Sequence, residues 1–345
     1  MISGDIESAP PKSFIRNSLP QIWRPDTGTW RDLTTAQSVA AHGGDLYPRM
    51  FLAPDGRVFK AGPDADTWFL NPSGNGSWTE GPLTHRGART DVPALNQLRS
   101  YGPAVIRDGK VFIFGGAENP PTNSVETLDL NAEPLAWVQA PPMAEARRHH
   151  NATLLPDGTI LITGGTSAPG FNDGRGAVLG AELFDPDTST WSTLPSMRIK
   201  RVYHSTALLL PDGRVVSAGG GRPAAFGDYE HRDAEVYSPA YLFKGPRPAI
   251  TDAPTSVVSG GTFDVQTPDA ADIEKVSLIR LGAVTHSFDM NQRYITLPFA
   301  VLPGRLQLTV PSNPNICPPG HYMLFLVNRS GVPSVAKIVQ VPIGP

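Results

Sequence analysis

Short apolar runs recur in pairs around an Asp-Gly step along the first two-thirds of the chain. Met50-Phe51-Leu52 and Val58-Phe59 flank Asp55-Gly56, and Ala104-Val105-Ile106 and Val111-Phe112-Ile113-Phe114 flank Asp108-Gly109. Leu154-Leu155 and Ile160-Leu161-Ile162 flank Asp157-Gly158, while Leu208-Leu209-Leu210 and Val215-Val216 flank Asp212-Gly213. Asp-Gly supplies the positive φ values of a tight hairpin turn, so each copy predicts two adjacent antiparallel strands. Three copies end on a glycine pair, Gly115-Gly116, Gly164-Gly165 and Gly219-Gly220. A second phrase then follows, an alternating strand, a turn and usually a tryptophan. Ala181-Glu182-Leu183-Phe184-Asp185 leading to Trp191 is the clearest, with variants at Val125-Glu126-Thr127-Leu128 before Trp137 and at Ala234-Glu235-Val236-Tyr237.

The aspartates of the turns stand at 55, 108, 157 and 212, in steps of 53, 49 and 55 residues. A period near 50 is that of a kelch-type propeller, in which the paired runs are the inner strands of a blade and the second phrase its outer strands. Gln21-Ile22-Trp23-Arg24 through Trp30 carries the second phrase without the first, so the chain is expected to open in the middle of a blade. Trp23, Trp30, Trp78, Trp137 and Trp191 are expected to pack between blades. From about Pro246 the pattern changes to short alternating runs at Thr262–Gln266, Lys275–Leu281, Leu306–Val310, Tyr322–Val327 and Ala336–Val341. These predict an antiparallel sandwich. The fold class is therefore all-β, with propeller blades over 1–245 and an immunoglobulin-like sandwich over 246–345. The short stiff step Lys244-Gly245-Pro246 predicts that the two pack together.

Composition narrows the functions. The 36 prolines and 34 glycines are spread evenly, as many short strands and turns require. A net charge of −3 without blocks of like charge gives no footprint for nucleic acid or an anionic membrane. Cys317 is the only cysteine, so no intrachain disulfide forms. Met1 to Glu7 has neither the basic nor the apolar region of an export signal.

A further set of phrases carries a family resemblance: Arg201-Val202-Tyr203-His204-Ser205 running into Leu208–Val215, then Ala240-Tyr241-Leu242-Phe243 and Val276-Ser277-Leu278-Ile279-Arg280. Thr285-His286-Ser287-Phe288-Asp289-Met290-Asn291-Gln292-Arg293, Pro319-Gly320-His321-Tyr322-Met323-Leu324-Phe325 and Gly331–Ala336 complete it, with a weaker echo at Leu46-Tyr47-Pro48-Arg49-Met50. In order and spacing they resemble the galactose oxidase/glyoxal oxidase family of copper radical oxidases. The resemblance implies a seven-bladed propeller, of which about four and a half blades are expected here, followed by an early-set sandwich. It implies oxidation of a small alcohol, aldehyde or carbohydrate by O2 with release of H2O2, and a family typically extracellular.

The family's site, as the resemblance implies it, holds copper by two tyrosines and two histidines, one tyrosine being cross-linked to a cysteine and bearing a radical. Tyr203 matches the axial tyrosine and general base, His204 the adjacent histidine and His286 the second histidine. Neighbours on a regular strand point to opposite faces, so Tyr203 and His204 share a metal only if the backbone there is irregular. The cross-linked cofactor has no counterpart, because the propeller region contains no cysteine. Tyr47 and Tyr101 begin inner strands and could approach the axis, yet neither has a thiol neighbour and neither is expected to replace the missing tyrosine.

His149 and His150 stand in nearly the register of Tyr203-His204. They read either as a lining of the axial pocket or as an exposed basic cluster at a blade edge. Phe171 reads either as a substrate-cleft aromatic or as a loop-packing residue. Two functions follow: a segment of a copper-dependent oxidase, inactive alone without its Tyr-Cys cofactor, or a kelch-type binding scaffold without catalysis. An open arc of blades is expected to self-associate or to pair with a separate N-terminal piece.

Overall fold

The computed structural model describes residues 5–9, 13–37, 47–86, 98–221 and 230–343. Two hairpins come first, β1 (Asp5–Ala9) with β2 (Ser13–Arg16) and β3 (Gln21–Arg24) with β4 (Thr29–Asp32). The first was not expected; the second falls on the Gln21–Trp30 phrase. Next come three four-stranded meanders. They are β5 (Met50–Leu52) to β6 (Val58–Lys60), β7 (Trp68–Asn71) and β8 (Ser77–Glu80); β9 (Ala104–Arg107) to β10 (Lys110–Phe114), β11 (Val125–Asp129) and β12 (Trp137–Ala140); and β13 (Arg148–Leu154) to β14 (Ile160–Thr166), β15 (Gly180–Asp185) and β16 (Thr190–Ser196). A three-stranded sheet of β17 (Ser205–Leu209), β18 (Val215–Gly219) and β19 (Ala234–Tyr237) closes the propeller part.

The turns behave as their chemistry demands. In three of them only the glycine is left-handed (Gly56, Gly158 and Gly213, φ 88°, 93° and 81°), while the aspartate oxygen accepts the backbone N–H two residues on at 2.9–3.0 Å. The second turn is the exception, with both Asp108 and Gly109 at positive φ (49° and 80°), which frees the Asp108 carboxylate to accept from Thr296 N and Oγ1. The glycine pairs have a packing reason. A Cβ on Gly164 would stand 2.3 Å from the Arg201 carbonyl of the next blade, and the Gly165 N–H donates to that same carbonyl at 2.7 Å.

The sandwich comprises β20 (Thr262–Gln266), β21 (Ile273–Arg280), β22 (Arg293–Thr296), β23 (Phe299–Leu302), β24 (Arg305–Thr309), β25 (Gly320–Asn328) and β26 (Lys337–Val341). Strands β20-β24-β23 form one sheet, and the other is continuous with a blade in the order β12-β11-β10-β9-β22-β21-β25-β26. The join is a parallel pairing of β22 with β9, Arg293 opposite Ile106 and Tyr294 opposite Arg107. Lys275 Nζ and Ser277 Oγ donate to the carbonyls of Asp157 and Pro156 at the third turn, and Arg293 donates to that of Leu52. One buried apolar cluster takes Val105, Phe114 and Ile162 from the blades and Ile279, Tyr294 and Phe325 from the sandwich. Packing of the two parts, rather than a loose tether, is thus built into shared backbone hydrogen bonds and a shared core.

Two expectations about side chains are corrected. Trp137 is buried, but Trp23 and Trp30 are 47% and 50% exposed and lie against each other at 5.3 Å, their rings tilted by 55°, instead of packing between blades. They face each other as the cross-strand pair of β3 and β4, so each indole partly covers the other. His149 and His150 are fully buried, which removes the reading of an exposed basic cluster.

Candidate functional site

Each of the four larger propeller sheets is approached by a segment whose last residues turn toward the axis. In those segments Tyr47, Tyr101, His149 and His204 all have positive φ (58°, 54°, 59° and 66°). Counted back from the turn aspartates at 55, 108, 157 and 212, they lie at 8, 7, 8 and 8 residues, so one aromatic ring per sheet occupies the same repeat position. This left-handed residue resolves the strand paradox. His204 breaks the alternation, and its ring stacks on Tyr203 at 3.8 Å instead of pointing away.

Ion pairs of buried arginines hold these approach segments, the first two with buried glutamates and the third with the exposed Asp233. Arg99, two residues before Tyr101, donates to Glu126; Arg147, two before His149, donates to Glu182; Arg201 lies 2.8 Å from Asp233 and 3.9 Å from Glu235. The three glutamates belong to the alternating phrase of each repeat. They also accept backbone N–H groups of His85, Ala144 and Arg198 from the connections before. Sequence reading gave these residues no role. The signal was there, an arginine shortly ahead of the axial aromatic and a glutamate second in the outer phrase.

The fifth ring comes from the sandwich. Between β21 and β22 the chain makes a tight tip in which Thr285 and Phe288 exchange backbone hydrogen bonds at 2.8 Å while His286 and Ser287 are left-handed. Asp289, buried behind the tip, accepts the N–H groups of Ala283, Asn291 and Gln292. Gln292 docks the loop on β13, accepting from Leu154 N and donating to Ala152 O. The tip sets Nε2 of His286 2.9 Å from Nε2 of His204 and 2.9 Å from the Tyr47 hydroxyl, with Thr285 Oγ1 at 2.6 Å from Nδ1.

The structure therefore brings Tyr203, His204 and His286 together, and adds Tyr47 and Tyr101, which the sequence reading had set aside. Tyr101 and Tyr203 are edge-on at 5.8 Å; burial, then the neighbouring Tyr203, pushes Tyr101 up to about 12. Phe171 stands 5.0 Å from Tyr203, and its carbonyl lies 2.6 Å from His149 Nε2, so it belongs to the wall of the site as well as to its loop. Burial and the neighbouring Arg148 push His149 down to about 3, which keeps it neutral. His150 does not join the rings. It is buried beside Gly115 and Gly165, with burial and Arg147 holding its pKa well below the ordinary value. Burial and His204 lower His286 as well. Cys317, fully buried in the sandwich core, has its thiol pushed up by burial.

Among the described residues no cluster of three His, Cys, Asp or Glu side chains could hold a metal, and the donors gathered at these rings are two imidazoles and tyrosine hydroxyls. The donor set fits a metal ion. Imidazole bonds of about 2.0–2.1 Å to a divalent first-row ion place ligands at right angles about 2.9 Å apart, and nitrogen with oxygen donors in a tetragonal arrangement suits copper(II).

A family model described as Glyoxal oxidase N-terminus matches residues 116–241, and one described as Galactose oxidase-like, Early set domain matches 247–341. A galactose oxidase of Gibberella zeae is 32% identical over 349 residues, covering 93% of this chain and 50% of that protein. The aldehyde oxidase GLOX of Vitis pseudoreticulata is 32% identical over 329 residues, 86% of this chain and 62% of its own length. A solved fungal alcohol oxidase of the AA5 family, in complex with copper, superposes with a TM-score of 0.83 at 27% identity, over 96% of this chain and 72% of that one. These findings and the geometry define the class: kelch-type propeller sheets whose axis is capped by a loop of an early-set sandwich. The chain belongs to the galactose oxidase/glyoxal oxidase family of copper radical oxidases. It spans about half the length of the galactose oxidase it matches.

Proposed function

We propose that this chain carries the copper-binding end of an oxidase acting on small primary alcohols, aldehydes or carbohydrates, with the propeller part at 1–245 and the sandwich at 246–345. The observation that carries the reading is the 2.9 Å meeting of the His204 and His286 Nε2 atoms, two imidazoles from separate parts of the chain. Thr285 Oγ1 beside Nδ1 of His286 fixes the ring and leaves Nε2 for a ligand bond. Copper bound there would supply one-electron chemistry and polarise a substrate oxygen. Tyr203, edge-on to Tyr101 at 5.8 Å, is the residue proposed to take the proton of a substrate hydroxyl. Phe171, Tyr101 and neutral His149 make an aromatic wall that excludes water from the carbon being oxidised.

Cys317 lies in the core of the sandwich, so these residues make no thioether-linked tyrosine. The chain alone is therefore read as a copper-binding unit that does not complete the two-electron oxidation. Titration of the purified chain with Cu(II) ions, followed by EPR, should give one bound ion with splitting from two imidazole nitrogens, lost in His204→Ala and in His286→Ala. An oxygen electrode should record no turnover of galactose or a small aldehyde by the chain alone. Absence of stoichiometric copper would return the protein to the class of non-catalytic kelch-type scaffolds.

A further inference from the structure

We propose a second small-molecule site, between the third meander and the last propeller sheet, that takes a small neutral diol or polyol. It stands apart from the copper reading, because its residues are not among the rings at the axis. A cavity of about 130 Å³ lies there, lined by Ala181, Val215 and Tyr237 together with Thr163, Ser217 and Glu235. Strand alternation explains why two hydroxyls meet in it. On β14, Leu161 packs into a cluster with Val215 and Tyr241, so Thr163, two residues on, faces the last sheet as well. On β18, Ser217 follows Val215 onto the face turned toward the third meander. Across the strands Leu161 pairs with Leu183 and Val215 with Tyr237, whereas Ser217 pairs with Glu235. The gap is therefore apolar toward the Asp-Gly turns and polar toward the glycine pairs.

The polar end is unsatisfied. Thr163 and Ser217 are 5% and 6% exposed, and neither hydroxyl has a hydrogen-bond partner among the described residues. Arg201 adds to them. Glu126 and Glu182 accept directly from Nη2 of Arg99 and Arg147, but Glu235 stands 3.9 Å from Nη2 of Arg201, which is left without a hydrogen bond. Buried polar groups in native folds are bonded to something. Water fills this space poorly: about four molecules fit at roughly 30 Å³ each, and each needs two to four polar partners, more than two hydroxyls and one guanidinium offer. One molecule with a short carbon skeleton against Ala181, Val215 and Tyr237 and adjacent hydroxyls at Thr163 and Ser217 satisfies both ends, since hydroxyls donate or accept as required. Benzene, with its six carbons, fits a cavity of about 150 Å³, which sets the size of the ligand. Charge is disfavoured in either sign, because the Glu235 carboxylate lines the cavity and the Arg201 guanidinium lies beside it.

The test adds propane-1,2-diol to the full chain with its valine methyls labelled, and reads saturation-transfer NMR and intermolecular NOEs. The wild type should bind the probe saturably, with half-saturation on the order of millimolar, and show NOEs from the probe to the Val215 methyls. Thr163→Val combined with Ser217→Ala keeps the shape and removes both hydroxyls, so binding should weaken at least about tenfold, with no fall in Tm because no bond within the protein is lost. Absence of saturable binding overturns the inference, as do NOEs confined to valines other than Val215 and an affinity unchanged in the double variant. Uptake of benzene in place of the diol overturns it too, since it marks the cavity as apolar and dry. Should the double variant not fold, Ser217→Ala alone decides beside the wild-type NOEs: several-fold weaker binding is expected, and unchanged binding refutes the site. None of these readings depends on copper, so the site and the copper reading fail separately.

Discussion

Five side chains of the site, Tyr47, Tyr101, His149, His204 and His286, sit at φ values between 53° and 66°, where glycine is the usual residue. Each stores about 1–2 kcal/mol that the fold supplies elsewhere. His204 offers the cleanest test because it is exposed, so little packing is lost with it. In His204→Gly, relief of the strain opposes the entropy cost of a glycine, about 0.5–1 kcal/mol, so the variant should melt no lower than the wild type while losing copper. A clear drop in Tm would mean that the ring is held for stability and not for chemistry. Tyr203, His204 and His286 were legible because their phrases match a family. Tyr47 and Tyr101 share the register of His204, at 8 and 7 residues before the turn aspartate, but the lack of a thiol neighbour obscures it in the sequence. The burial of His149 and His150 was not legible, since a pair of histidines beside Arg147-Arg148 reads as a surface patch until the Arg147–Glu182 pair is seen.

At the level of elements, the Arg–Glu pairs tie the segment ahead of each inner strand to the third strand of the same sheet. Glu126 takes the guanidinium of Arg99 together with the backbone N–H and ring of His85. Burial alone would raise its carboxyl, but Arg99 and the His85 hydrogen bonds outweigh burial and hold it below the usual carboxylate range. A carboxyl whose folded pKa is depressed adds stability that is fully present above the unfolded value, about 4.3, and is lost as pH falls through the folded value. Glu126→Gln should therefore cost about 3–5 kcal/mol at neutral pH, and its Tm deficit against the wild type should shrink as the pH is lowered through that range. A deficit that stays constant with pH would show that the glutamate contributes shape and not charge. The hairpins were read correctly from paired apolar runs because their contacts are local. Strand β22, only Arg293–Thr296, was missed because its partner β9 lies far away in sequence and no alternation in four residues announces it.

Across the whole molecule, the last propeller sheet presents a face the other sheets do not. Leu208, Val216 and Val236 are cross-strand neighbours on β17, β18 and β19, and Thr206, Ala218 and Ala234 form the next row. The alternate residues Ser205, Ala207, Val215 and Ser217 are buried, whereas Leu208 and Val216 are half-buried and Val236 is 51% exposed. In the three preceding meanders the central strands are almost wholly buried. An apolar ladder of this kind on a pleated face is the surface against which a propeller packs its next blade, and left exposed it drives association. We expect the chain by itself to run larger than a monomer on size exclusion with light scattering. Replacing Val216 and Val236 together by lysine should shift it toward monomer while leaving copper binding intact, because neither residue touches the rings at the axis. A wild-type chain that is a soluble monomer would mean that the residues around this ladder already cover it. The site and the sheet face would then have to be explained as parts of a self-sufficient molecule.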